Sequence, residues 1–197
     1  LIDSKDIPSI NKITEKNGRL YIGAGVTFTT LIESSKIKES FPMLWDAART
    51  VASSGVRSRA TLAGNICSAV PSLDSATPLL CHEAIVHCIS VEEKREIPIS
   101  EWFIAPRKTS LRANEMVWEI SLELPKKKQA GIYLKLGRYG GEDLAQAGWG
   151  FLIDEDKQYK VAHCALAPIP KRATLIEQAL NGKELSPEQI EAAVALI

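Results

Sequence analysis

The stretch SRATLAGNICSAVPSLD, residues 58–74, says more about the fold and chemistry of this chain than any other. It is dense in Ser, Gly, Asn and Pro, which is typical of a loop. It also keeps several aliphatic side chains, which exposed connecting segments rarely do. We therefore interpret residues 56–73 as an ordered loop, followed by a helix whose first residue is capped by Asp74 or Ser75.

The same stretch supplies hydrogen-bond donors that suit an anion. At Gly64 a ligand can approach the backbone with no Cβ in the way, and successive N–H groups in such a turn can bind an anion. Thr61 adds a hydroxyl and Asn65 a side-chain amide, while Asp74 could cap the next helix or accept hydrogen bonds from ribose hydroxyls. From these residues alone, two interpretations stay open: a phosphate-binding turn, and a buried Gly-Asn turn with a helix cap.

The remaining elements are predicted from periodicity and from turn residues. Asn17-Gly18 between two apolar stretches predicts a β-hairpin, and Pro42 opens a helix that is expected to end at Gly55. Strands are expected at residues 85–91, 96–99, 116–124, 132–136, 145–153 and 159–167. Helices are expected from about residue 172 to residue 180 and from residue 186 onwards. This mixture of hairpins and helices predicts an α+β fold.

Pro125 and the three lysines after it interrupt the pattern and indicate a boundary between two subdomains. Residues 1–127 are expected to form a mixed sheet with flanking helices. Residues 128–197 are expected to form a small subdomain of antiparallel strands with helices at its C-terminal end.

Composition excludes several classes of function. The 24 Lys and Arg residues balance the 24 Asp and Glu residues, so neither nucleic acid nor an anionic membrane is an expected partner. No apolar stretch approaches the ~20 residues that cross a bilayer, and no leader pattern is seen, so a cytoplasmic location is expected. The four cysteines lack the spacing of zinc or iron–sulfur sites, and no metal site is expected. The three histidines are interpreted as packing or surface residues.

Separated motifs in a fixed order resemble one known family. They are IGAGVTFTTLIE at residues 22–33, FPMLWDAARTVASSGVRSRATLAGN at 41–65, TLAGNICSAVPSLDSATP at 61–78 and YLKLGRYGGEDLAQAG at 133–148. Together they resemble the FAD domain of the xanthine dehydrogenase type of molybdopterin hydroxylase, including the medium subunits of bacterial enzymes such as CO dehydrogenase. The family's T/S-x-G-G-N-I motif has Ala63 here in place of its first glycine.

The resemblance implies a role for particular residues. The FAD diphosphate would be held by Thr61, Leu62, Ala63, Gly64 and Asn65.

Three further positions complete the site that the resemblance implies. Asp74 would lie on the ribityl or ribose side, and the Lys135 ammonium would lie near the flavin ring. Val117, or Trp118 beside it, would contact the flavin from a strand. Val51 stands where some members present an aromatic residue to the adenine.

The resemblance also implies a function. FAD would receive electrons through [2Fe–2S] clusters from a molybdopterin centre, both on partner subunits, and pass them to NAD or another acceptor. The sequences TLAGNIC and DSATP look most similar to those of purine-oxidising members. Other N-heterocycles, aldehydes and CO remain open as substrates.

One part of the family pattern, a Gly-rich segment of A-G-G-T-D type, is not found in this sequence, so we expect a partial FAD-binding domain. A flavin-free assembly module of such a complex is therefore the alternative. A stand-alone oxidase of the same superfamily is a third possibility, although it needs a substrate pocket with its own base.

Overall fold

The computed structural model describes residue 4 and residues 6–196. The helices in this part of the chain are α1 Phe28–Glu33, α2 Ser35–Ser40, α3 Pro42–Thr50, α4 Ser54–Arg57, α5 Leu62–Ser68, α6 Ala76–Cys81, α7 Thr174–Leu180 and α8 Pro187–Val194. The strands are β1 Ile13–Lys16, β2 Arg19–Gly23, β3 Ile85–Ile89, β4 Lys94–Pro98, β5 Phe103–Ala105, β6 Lys108–Thr109, β7 Met116–Glu123, β8 Gln129–Leu136, β9 Ala147–Asp154, β10 Tyr159–Cys164 and β11 Lys171–Arg172. The α+β class is confirmed. None of the described helices is long and apolar enough to span a membrane.

The first sheet has the strand order β1-β2-β7-β3-β4, and each pairing between these strands is antiparallel. The expected hairpin is confirmed, since Asn17 and Gly18 join β1 to β2 with positive φ angles of 51° and 71°. The expectation of a mixed sheet is wrong. A long helical connection such as that between β2 and β3 is typical of parallel neighbours, but β7 enters between them and runs antiparallel to both.

The second sheet has the order β11-β10-β9-β8 and is antiparallel, as expected for the C-terminal part. Successive residues of β10 face opposite sides of the sheet. Ala162 belongs to the large core shared with the first sheet, and Val161 packs with Ile176 of α7 in a smaller cluster. Helices α3 and α6 therefore lie on one face of this sheet and α7 on the other. The division between residues 127 and 128 stays a prediction.

Helix α3 ends at Thr50, five residues before the expected end at Gly55, which instead lies in α4. The chain reverses at Ala52, which has a φ of 37°. The Arg57 guanidinium donates to the carbonyls of Val51 at 2.8 Å and Ala52 at 2.6 Å. This side-chain donor, five to six residues further along the chain, satisfies carbonyls just after the last residue of α3, so the helix stops without a glycine cap.

His82 lies at the end of α6 and serves as a packing residue. Its ring meets Phe41 edge-on, with 5.1 Å between ring centroids, and its Nε2 atom is shielded from solvent without a hydrogen-bond partner among the described residues. Burial, and to a lesser extent the nearby Lys160 ammonium, lower its pKa from 6.5 to about 4.

This depressed pKa predicts a stability loss in acid. A histidine that is neutral in the fold contributes stability above pH 6.5, and that stability is lost as the pH falls through about 4. At ~1.4 kcal/mol per pKa unit, the loss attributable to His82 between these pH values is about 3 kcal/mol. The free energy of unfolding, measured by urea titration at several pH values, should therefore fall less in His82→Leu than in the wild type. Parallel curves for the two proteins would contradict this expectation.

Candidate functional site

The site includes helix α5, which is held in place by the segment that precedes it. The segment before the helix pairs with residues 26–28, because Phe28 N–H donates to the Ala60 carbonyl at 3.0 Å and Leu62 N–H to the Val26 carbonyl at 3.3 Å. Thr61 has an extended backbone and its Oγ1 accepts the Gly64 N–H at 2.9 Å. The interpretation of residues 56–73 as a loop is therefore wrong for residues 56–57, which end α4, and for residues 62–68, which are a capped helix.

The first turn of α5 is open on one side. Gly64 is exposed. Apart from its chain neighbours and the backbone of its own helix, a Cβ built there would meet one atom of the described residues within 4 Å, the Thr61 Oγ1 at 3.1 Å. Leu62 and Ala63 point the other way, with 0% and 4% of their surfaces exposed. A buried Gly-Asn turn is thus excluded. A phosphate ligand at this turn stays a prediction. The Leu62 N–H already donates to the Val26 carbonyl, and Ala63 could reach a phosphate with its backbone N–H alone.

Asn65 is tied to the start of the next helix. The fully buried Ser75 hydroxyl donates to Asn65 Oδ1 at 2.6 Å. Neither Asp74 nor Ser75 caps α6 with its side chain, so the expected cap is wrong. The backbone of Ser75 is helical, with φ −73° and ψ −17°, whereas a capping residue is extended.

The Asp74 carboxylate lies in a buried network instead. One oxygen accepts from the Tyr133 hydroxyl at 2.6 Å and the other from the Lys135 ammonium at 3.0 Å. Lys135 also donates to the Thr50 carbonyl at 2.9 Å. The side chains of Asp74 and Lys135 are each only 9% exposed. Burial raises the pKa of Asp74 above its ordinary value, and the donors Tyr133 and Lys135 oppose that rise.

Lys135 retains one donor for a ligand. An ammonium group has three N–H donors, and Asp74 and Thr50 take two of them. The network therefore holds the Lys135 ammonium in one place, and its third N–H has no hydrogen-bond partner among the described residues.

The structure thus brings together most of the residues that the sequence indicated. Asp74 is next to Ser75 in the chain and so links the Asn65 contact to Lys135. Val117 is different: it lies in β7 with 6% of its surface exposed and belongs to the hydrophobic core beneath α5.

Sequence reasoning missed two members of the network, Ser75 as a partner of Asn65 and Tyr133 as a partner of Asp74. Tyr133 carried a usable signal, because it lies two residues before Lys135 in a strand and therefore faces the same side of the sheet.

The residues present fit a phosphorylated ligand with hydrogen-bonding rings. The exposed Gly64 allows close approach, the Thr61 hydroxyl and Asn65 amide are neutral donors, and Lys135 adds one cationic donor. Such a donor set suits the diphosphate and the flavin of FAD.

Comparison with known proteins identifies the family. The family described as FAD binding domain in molybdopterin dehydrogenase matches residues 1–126. The xanthine dehydrogenase FAD-binding subunit of Escherichia coli O157:H7 is 30% identical over 198 residues, covering 98% of this chain and 68% of the relative. The nicotine 6-hydroxylase medium subunit of Paenarthrobacter nicotinovorans is 28% identical, covering 98% of this chain and 69% of that relative.

Solved structures agree with this assignment. A carbon monoxide dehydrogenase from Hydrogenophaga pseudoflava, in a form that lacks the Mo-pyranopterin moiety of its cofactor, superposes with a TM-score of 0.92. Identity is 28%, and the match covers 98% of this chain and 68% of that chain. The resemblance noted in the sequence is confirmed, and with it FAD as the cofactor of this type of domain. The chain belongs to the FAD-binding domain family of the molybdopterin dehydrogenases.

Proposed function

We propose that this protein binds FAD in the site formed by α5, the start of α6 and β8, as the flavoprotein component of a molybdenum hydroxylase complex. The observation that carries the proposal is the continuous arrangement from the open turn at Gly64, through the Asn65–Ser75 hydrogen bond, to the buried Asp74–Lys135 pair. The family match supports the cofactor, and the geometry supports the place where it binds.

Each residue has a distinct part in this proposal. The Thr61 hydroxyl and the Asn65 amide donate to the diphosphate, and Gly64 leaves room for it. Leu62 and Ala63 contribute by packing the first turn of α5 onto the core.

On the flavin side, Lys135 presents its remaining N–H to the ring system, and Asp74 holds the ammonium in place rather than contacting the cofactor itself. Val117 supports the apolar wall behind α5. When bound, FAD supplies both hydride and single-electron transfer, and the protein supplies binding, orientation and a fixed positive charge.

The partners and acceptor follow from the kind of complex. We propose that molybdopterin-binding and iron–sulfur subunits deliver electrons to this chain and that NAD or another acceptor removes them, in the cytoplasm. The relatives are named for xanthine, nicotine and carbon monoxide although they share this domain. We therefore propose that the molybdenum subunit determines which substrate is oxidised, and that the substrate here is an N-heterocycle of the purine type.

Purification with visible spectroscopy tests the proposal. We expect a yellow protein with flavin absorbance, releasing one FAD per chain on denaturation, together with co-purifying chains that contain molybdenum and iron. A colourless protein that binds these partners and does not take up added FAD would favour the flavin-free assembly module instead.

A further inference from the structure

Ser75 is the N-cap residue immediately before α6, but its hydroxyl does not cap the helix. A capping hydroxyl accepts from the N–H of the second or third helical residue, and the third residue here is Pro78, which has no N–H. The backbone of Ser75 is also helical, whereas a residue that caps with its side chain is typically extended. The hydroxyl is therefore available for another contact.

That contact is with Asn65, ten residues earlier. Ser75 Oγ donates to Asn65 Oδ1 at 2.6 Å, and Ser75 has 0% of its surface exposed. With its oxygen turned inward, the amide of Asn65 must turn its nitrogen outward. No acceptor within the described residues is hydrogen-bonded to Nδ2, and Asn65 is half-buried, so its two N–H donors remain for a ligand.

The backbone keeps the two residues at this separation. The segment between α5 and α6 is fixed at two points soon after α5, because Arg107 N–H donates to the Ala69 carbonyl and Ala165 N–H to the Pro71 carbonyl, each at 2.8 Å. Ala165 follows β10 of the second sheet and Arg107 lies between β5 and β6. The backbone thus keeps the Ser75 hydroxyl within hydrogen-bonding distance of the Asn65 side chain.

We propose that Ser75 is a positioning residue that sets the polarity of the site by locking the Asn65 amide with its N–H donors towards the ligand. A phosphate group offers acceptors, so this orientation attracts it, whereas the flipped amide would direct oxygen lone pairs at the anion. Ser75 thereby selects a ligand that carries a diphosphate. This inference rests on the proposed function, because it assumes that the diphosphate of FAD lies at Gly64 and Asn65.

A double-mutant cycle tests the proposal on the purified protein, with FAD as the titrated ligand. We expect Ser75→Ala to raise the Kd for FAD about tenfold, the upper range for one neutral hydrogen bond. In an Asn65→Ala background the same change should have no further effect, because the residue that Ser75 orients is gone. Ser121→Ala is the matched control, since it removes an equally buried hydroxyl that bonds to His87 and Arg19, and it should leave the Kd unchanged.

The variant Asn65→Asp tests whether the Asn65 side chain presents hydrogen-bond donors to the ligand. If Asn65 donates to phosphate, a carboxylate there repels it, and the Kd should rise at least tenfold above that of Asn65→Ala. An Asp variant that binds FAD as well as the wild type, or a Ser75→Ala effect that persists without Asn65, would overturn the proposal.

A measurement without FAD separates this inference from the proposed function. In ¹⁵N relaxation spectra, the side-chain amide of Asn65 should be rigid in the wild type and in Ser121→Ala and mobile in Ser75→Ala. If the wild type takes up no FAD, the proposed function fails. The orienting role of Ser75 is then judged by these spectra, and an amide equally rigid in Ser75→Ala refutes it.

Discussion

Replacing Gly64 by valine is expected to weaken FAD binding about a hundredfold, a loss of roughly 2.7 kcal/mol, with little effect on folding. Gly64 is exposed and a Cβ there has one near neighbour, the Thr61 Oγ1 at 3.1 Å. A branched side chain would therefore occupy the space in which we place the diphosphate and cover the backbone that it approaches. Stability should change by less than about 1 kcal/mol, because valine and glycine differ little in helix propensity.

The measurement is a fluorescence titration with FAD, paired with urea unfolding of the same samples. Gly55→Val provides a matched control, since Gly55 is also an exposed helical glycine and the nearest atom to its Cβ position is 3.9 Å away. We expect the control to bind FAD like the wild type. Equal affinities for Gly64→Val and Gly55→Val would place the diphosphate elsewhere.

The second large effect is on stability. Asp74→Ala should lower the free energy of unfolding by about 3–5 kcal/mol at neutral pH, because it leaves the Lys135 ammonium buried without its counter-charge. The Lys135 side chain is only 9% exposed, and the Thr50 carbonyl is its one remaining partner in the described structure. The Tyr133 hydroxyl loses its acceptor in the same variant.

A second substitution distinguishes an unpaired charge from simple loss of packing. Adding Lys135→Met to Asp74→Ala removes the stranded ammonium and should recover most of the lost stability in urea unfolding, since apolar replacements of buried ion pairs are often neutral. FAD binding should remain weak in this double variant because the cationic donor is gone. A single variant that loses less than about 1 kcal/mol would show that solvent reaches the lysine freely.

Local signals in the sequence predicted several elements well. The Asn17-Gly18 hairpin follows from residues that accept positive φ, and α8 follows from Ser186-Pro187, which forms a capping box with Gln189. Strands β7 to β10 appear close to the predicted positions because each alternates or runs apolar for six to eight residues.

Helix α5 was missed for a physical reason. It has seven residues, contains Gly64 and Asn65, and is too short for helical periodicity to stand out. It forms because Thr61 caps it and because the segment before it pairs with residues 26–28. The cap is visible in the sequence, whereas the pairing depends on a contact more than thirty residues away.

The amino-acid sequence alone determined the family motifs, the glycine that leaves the turn of α5 open and the presence of Asn65 and Lys135. Only the tertiary structure decided what these polar groups contact. Lys135 and Asp74 are 61 residues apart in the chain, and a lysine in a strand is expected to face solvent unless a buried carboxylate is known to lie opposite. The insertion of β7 between β2 and β3 is decided in the same way. Periodicity reports which face of an element is buried, while the partner on that face is set by the packing of distant segments against one another.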